Sequence, residues 1–177
     1  RSKEEVAKEI KRLKEENKRL LDELAKRSEE LERRDRRLNE EHHREIRRLT
    51  DELRKKVRDE DTLREVEERV RKIDEDVNRH SEEVIRESRE SLKRVADHSR
   101  KVVEDLERLL EEAKRVDDDR VLKEIVDEAR RLSERNEEVL RRLLKENEDL
   151  SKRNEDFIRK TMKELRDLAE EVKERAK

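Results

Sequence analysis

The chain has 177 residues, 52 of them basic and 54 acidic, for a net charge of −2, and it contains no Gly, Pro or Cys. The missing Gly excludes glycine-rich phosphate loops and dinucleotide fingerprints, and the missing Cys excludes disulfides, thiolate nucleophiles and Cys-type zinc sites. Near-neutral charge argues against nucleic acid, whose backbone demands a basic surface, and no apolar run approaches the roughly 18 residues of a membrane span.

Charge this dense can mean disorder, but here the signs are interleaved and the apolar residues recur on a helical period. The first helix is expected to start at Ser2, where Ser2 and Glu5 match a capping box. Its apolar track runs Val6, Ile10, Leu13, Leu20, Leu24, Leu31, Leu38, Ile46, Leu49, Leu53. The phase breaks near Val57, and Arg58-Asp59-Glu60-Asp61 carries no apolar residue. Thr62 with Glu65 matches a second capping box and predicts the start of helix two.

Helix two carries Val66, Val70, Ile73, Val77, Val84, Leu92, Val95, Val102, Leu106, Leu109 and Ala113 and is expected to end near Arg115. Asp117-Asp118-Asp119 supplies anionic residues for the N-terminus of helix three. That helix continues with Leu122, Ile125, Ala129, Leu132, Leu140, Leu143, Leu150, Ile158, Leu165, Leu168 and Val172. The reading is all-α: an elongated up-down-up three-helix bundle, one domain over 1–177, with helices at about 2–57, 62–115 and 119–176. At 1.5 Å per residue such helices are about 80 Å long. A single uninterrupted helix in a fibrous coiled coil is the rival, and the coincidence of the phase slip with capping signals argues against it.

The core track of helix one steps by 4, 3, 4, 3, 4 and then restarts, giving an 18-residue repeat of 3.6 residues per turn. A heptad would give 3.5 and a left-handed supercoil, so nearly straight helices are expected. Identities repeat too. His80-Ser81 recurs as His98-Ser99, Ser133 and Asn136 recur as Ser151 and Asn154, and Asn17 is matched by Asp35.

Polar residues on an apolar track each need a partner, because an unpaired buried group costs roughly 1–3 kcal/mol. Antiparallel pairing through the first turn makes facing positions sum to about 115, and through the second turn to about 234. Helices one and three then differ by about 119. These constants group Asn17 with His98 and Asn136, and Asp35 with His80 and Asn154. They also group Ser28 with Ser88 and Asn147, and place His42 beside Thr161 opposite Ile73. The expectation is a set of buried hydrogen-bond networks that penalise wrong registers.

In these features the whole chain resembles de novo designed parametric helical bundles with built-in hydrogen-bond networks. The resemblance rests on the absence of Gly and Pro, the Glu/Lys/Arg surface, the capping boxes, the 18-residue repeat and the His/Asn/Ser layers. It implies a scaffold, an oligomer or a switchable part. The lack of Gly or Pro in the turns departs from such designs.

Other functions are weaker. His42 and His43 are adjacent, so their side chains diverge by about 100°, and His80 and His98 are too far apart to share an ion, so no metal or other cofactor is expected. An Asp35–His80 pair without a cleft or oxyanion hole does not make an enzyme. Membrane binding would need an aromatic or strongly basic amphipathic face. The expected role is a structural scaffold, and Arg1 in place of Met points to a trimmed recombinant chain. The alternative is an interaction module, either a self-associating subunit or the three-helix part of a split four-helix bundle that takes a partner helix. Buried neutral imidazoles resist protonation, so either version could respond to pH.

Overall fold

The computed structural model describes residues 2–176. Three helices account for nearly all of them: α1 Lys3–Lys56, α2 Glu60–Arg115 and α3 Asp119–Arg175. They form an all-α three-helix bundle. The local cause is composition: strong helix formers fill the exposed faces, and no Gly or Pro interrupts them. Pairs one turn apart add to this, such as Arg71 reaching both Glu68 and Glu75 at 2.6 Å.

The ends are capped by side chains. Ser2 Oγ accepts the Glu5 N–H at 3.2 Å. Helix two starts at Glu60 and not at Thr62, because the capping residue is Asp59. Its carboxylate accepts the Asp61 N–H at 3.2 Å and the Thr62 hydroxyl at 2.7 Å, so Thr62 braces the cap from inside the first turn. The Thr62 hydroxyl, then the Asp61 N–H, hold the Asp59 carboxyl below its ordinary pKa. Helix three follows the same plan, with Asp118 accepting the Arg120 N–H at 2.9 Å.

Both turns therefore have one construction, Val57-Arg58-Asp59 and Val116-Asp117-Asp118. A valine packs onto the core, one residue passes through solvent, and an aspartate caps the next helix. Among the described residues no φ is positive, so these turns need no glycine.

The chain divides into two compact units, each drawing on all three helices. Unit 1 comprises 1–29 and 88–147, and unit 2 comprises 30–87 and 148–177. In unit 1 the main core joins Val6, Ile10 and Leu13 of α1 to Val102, Leu106 and Leu109 of α2 and to Leu122, Ile125 and Ala129 of α3. A smaller cluster gathers Leu24, Leu140 and Leu143. In unit 2 Ile46, Leu49 and Leu53 pack on Val66 and Val70 and on Leu165, Leu168 and Val172. Leu106 is fully enclosed, and burying a side chain of that size stabilises by about 2–3 kcal/mol.

Within each unit α1 and α3 run parallel, at a constant offset, with α2 antiparallel to both. The Asn17–Asn136 and Ser28–Asn147 bonds of unit 1 each span 119 residues, as do the Asp35–Asn154 and His42–Thr161 contacts of unit 2. Ion pairs between α1 and α3 repeat as well, each spanning 121 residues. Arg130 grips Glu9 through two bonds of 2.8 and 3.1 Å in unit 1, and Arg34 meets Glu155 at 2.5 Å in unit 2.

Candidate functional site

In unit 1, α1 brings Asn17, α2 brings Ser99, and α3 brings Ser133 and Asn136 into one fully buried group. The Asn17 amide donates to the Leu13 carbonyl at 2.7 Å and to Ser133 Oγ at 2.8 Å. The Asn136 amide donates to Asn17 Oδ1 at 2.8 Å and to Ser99 Oγ at 3.0 Å. Every member is uncharged at any pH near neutral.

Sequence reasoning placed His98 in this layer, and the structure corrects that. His98 is exposed, while its neighbour Ser99 is 1% exposed and holds the bond to Asn136. Consecutive residues on a helix point about 100° apart, so a one-residue error in the facing constant exchanges the inward residue for an outward one.

The second polar contact of unit 1 is a single bond of 3.1 Å from the Asn147 amide to Ser28 Oγ. Ser88, assigned to the same layer, is half-buried and does not take part in that bond. The Asn147 carbonyl oxygen is buried without a hydrogen-bond partner.

In unit 2, Asp35, Ser81, Ser151 and Asn154 occupy the positions 18 residues along each helix, with α2 read in reverse. Asp35 Oδ1 accepts from Ser151 Oγ at 3.0 Å and from the Asn154 amide at 3.3 Å. Asn154 Oδ1 accepts from Ser81 Oγ at 3.0 Å. His80 is half-buried at the edge, with Nδ1 3.2 Å from Asn154 Oδ1 and its ring stacked on Phe157 at 4.4 Å. His80 therefore reaches the layer through Asn154 and not through Asp35, as the pairing of two facing side chains had suggested. Asp35 is 3% exposed. Burial pushes its carboxyl pKa up, against the opposing pull of the Ser151 and Asn154 bonds.

Also in unit 2, His42 and Thr161 meet across α1 and α3. Thr161 Oγ1 lies 3.3 Å from His42 Nε2 and donates its proton to the Ile158 carbonyl at 2.8 Å. The hydroxyl has one proton, so it accepts from His42, which fixes the Nε2–H tautomer. His42 Nδ1 is then a bare lone pair, buried and without a hydrogen-bond partner. Asp74 of α2 stands nearby, its Oδ1 3.9 Å from His42 Nδ1 and 2.7 Å from His43 Nδ1. The 2.7 Å approach of His43 lacks hydrogen-bond alignment, so Asp74 Oδ1 is buried without a hydrogen-bond partner. Burial, then the charge of His43, lower the His42 pKa to about 4. Burial raises that of Asp74.

The residues that sequence reasoning left out of the layers are Ser81, Ser99, Ser133 and Ser151, together with Asp74. A signal for the first two exists. Val77 and Val84, and likewise Val95 and Val102, are seven residues apart, and a 4-then-3 step between them lands on 81 and 99.

Among the described residues no group of three His, Asp, Glu or Cys side chains could hold a metal ion, and no helix is long and apolar enough to cross a membrane. Comparison with protein-family models, with curated proteins and with solved structures finds no match.

Proposed function

We propose that the chain is a designed structural scaffold, without catalytic activity, whose task is to hold a specified helical register. The observation that carries this reading is the duplication of one polar layer. Asn17, Ser99, Ser133 and Asn136 in unit 1 and Asp35, Ser81, Ser151 and Asn154 in unit 2 use the same positions of the 18-residue repeat. Layers of this kind add little net stability, because each bond replaces one to water. They penalise any other pairing, which would set amides and hydroxyls against Leu or Val. The aliphatic clusters hold the helices together, and the polar layers say which residues face which.

The absence of exposed large hydrophobic side chains among the described residues supports a core closed by the chain's own three helices. Solution mass by light scattering after size exclusion, over a concentration series at neutral pH, tests this. A constant 21.8 kDa is expected. An integer multiple would overturn the closed-scaffold reading in favour of an interaction module.

A further inference from the structure

The buried polar groups of the two units differ in what a proton can do to them. In unit 1 the layer of Asn17, Ser99, Ser133 and Asn136 has nothing to titrate. In unit 2 the side chain of His42 is completely enclosed and uses only one of its two ring nitrogens.

We propose that unit 2 contains an acid-sensitive release at His42. Proton uptake by this enclosed imidazole opens the layer of His42, Asp74 and Thr161, while the Asn17–Asn136 layer of unit 1 stays closed. This goes beyond the scaffold reading and does not depend on it, since it follows from the geometry of one ring.

The argument starts from the tautomer. Nε2–H is already spent on Thr161, whose own proton is committed to the Ile158 carbonyl. A proton added at Nδ1 creates a second N–H and a full charge where Nδ1 now has no hydrogen-bond partner. A buried charge without hydrogen bonds is far costlier than the neutral ring. The groups around the ring give limited compensation. From α2 comes the Asp74 carboxylate, at 3.9 Å too distant for a hydrogen bond and held closer by His43. From α1 comes His43, which in its imidazolium form opposes a second cation beside it. From α3 comes the uncharged Thr161 hydroxyl. The cheaper response is to let the layer open so that water solvates the imidazolium.

The sign is set by the direction of the shift. An exposed imidazole titrates at 6.5, whereas the folded His42 holds out to about 4. The unfolded or opened form therefore binds the proton first, and the stability of the closed layer falls as pH drops from about 6.5 to about 4. Asp35 and Asp74 work the other way. Their carboxyl pKa values are raised by burial, so acid removes a cost that ionisation imposes. Loosening in acid is therefore centred on His42 and does not extend to the Asp35 layer.

Amide hydrogen exchange of the full chain at pH 7.5 and 4.5, corrected for intrinsic rates, tests the proposal. Protection at residues 38–46 and 158–165 should fall by roughly ten- to fiftyfold at the lower pH. Amides around Asn17 and Asn136 should hold within about twofold, and His42→Leu should abolish the drop. Equal loss in both units, or loss that persists in His42→Leu, would overturn the proposal. Should the variant fail to fold, 15N spectra of the wild-type imidazoles decide. His42 is expected to remain the neutral Nε2–H tautomer down to about pH 4. Formation of an imidazolium with protection retained, through a new bond to Asp74, would show that the site closes on the proton instead of releasing.

Discussion

In unit 1 Asn17 donates to Ser133; in unit 2 Asp35, at the matching place in the repeat, accepts from Ser151. One change of side chain reverses the direction of the bond, and the reversal passes to the next residue. Asn136 spends its amide on Asn17 and Ser99, and its own carbonyl oxygen is left without a partner. Asn154 gives its amide to Asp35 and turns its oxygen to Ser81 and His80. An amide can donate and accept, whereas an ionised carboxylate only accepts. The layer built on Asp35 thus satisfies more of its atoms but holds a carboxyl whose ionisation burial opposes, while the layer built on Asn17 cannot ionise and leaves one oxygen unpartnered.

The largest expected difference between the layers comes from removing the α3 amide. Asn154→Leu takes a donor from a buried carboxylate and an acceptor from Ser81 and His80, and should cost about 3 kcal/mol at pH 7. Asn136→Leu disturbs only neutral groups and should cost about 1–2 kcal/mol. Chemical denaturation of the two variants measures both. The gap should narrow in acid, because burial raises the Asp35 carboxyl pKa and favours its neutral form. A gap that stays constant with pH would mean that charge on Asp35 is not its source.

Thr161→Val tests the other titratable group of unit 2. The isosteric change leaves the His42 Nε2–H buried without an acceptor and should cost about 2 kcal/mol at neutral pH. A loss below about 0.5 kcal/mol would mean that the ring holds its proton on Nδ1, facing Asp74. In that case the asymmetry between the units would rest on a different tautomer.

Converting one layer into the other is a smaller effect with a definite sign. A group whose pKa is raised on folding stabilises below its unfolded pKa and loses that contribution as pH rises through the folded value. Ionisation of the folded Asp35 carboxyl therefore costs stability. Asp35→Asn should gain about 1 kcal/mol at pH 7, with Ser151 turning to accept as Ser133 does, and the gain should vanish in acid. Asn17→Asp should lose a similar amount at pH 7 and recover it in acid. Paired pH series of the two variants that ran in the same direction would break the comparison.

The fold was legible because it depends on averages. Dozens of apolar residues at 4-and-3 spacing define three helical faces, and no single misplaced residue alters the result. The offset between α1 and α3 was legible for the same reason: Asn17 with Asn136, Asp35 with Asn154, Ser28 with Asn147 and His42 with Thr161 all agree on it. The helix-two start was read two residues late. Thr62 matches a capping box by type, yet Asp59 has the charged acceptor at the position where the chain turns. The orphaned Nδ1 of His42 and the approach of Asp74 are facts of three dimensions that spacing in one chain does not encode.

The choice between His98 and Ser99 is the most instructive error, and it yields the smallest predicted effects. The spacing between Val95 and Val102 favours 99, but the facing sums of about 115 and 234 point to 98. Burial reverses that preference. Beside two asparagines and a second serine, the small Ser99 closes the bond to Asn136 with almost no exposure, while His98 stays in water. Ser99→Ala should therefore cost about 1 kcal/mol, and His98→Ala should stay within about 0.5 kcal/mol of the parent. The same pair in unit 2 should behave differently. There His80 stacks on Phe157 and touches Asn154, so His80→Ala should cost about 1 kcal/mol, close to Ser81→Ala. If the two histidines gave equal effects, Phe157 would contribute nothing to the edge of the layer. The distinction between a solvent-facing histidine in one unit and a stacked one in the other would then have no energetic content.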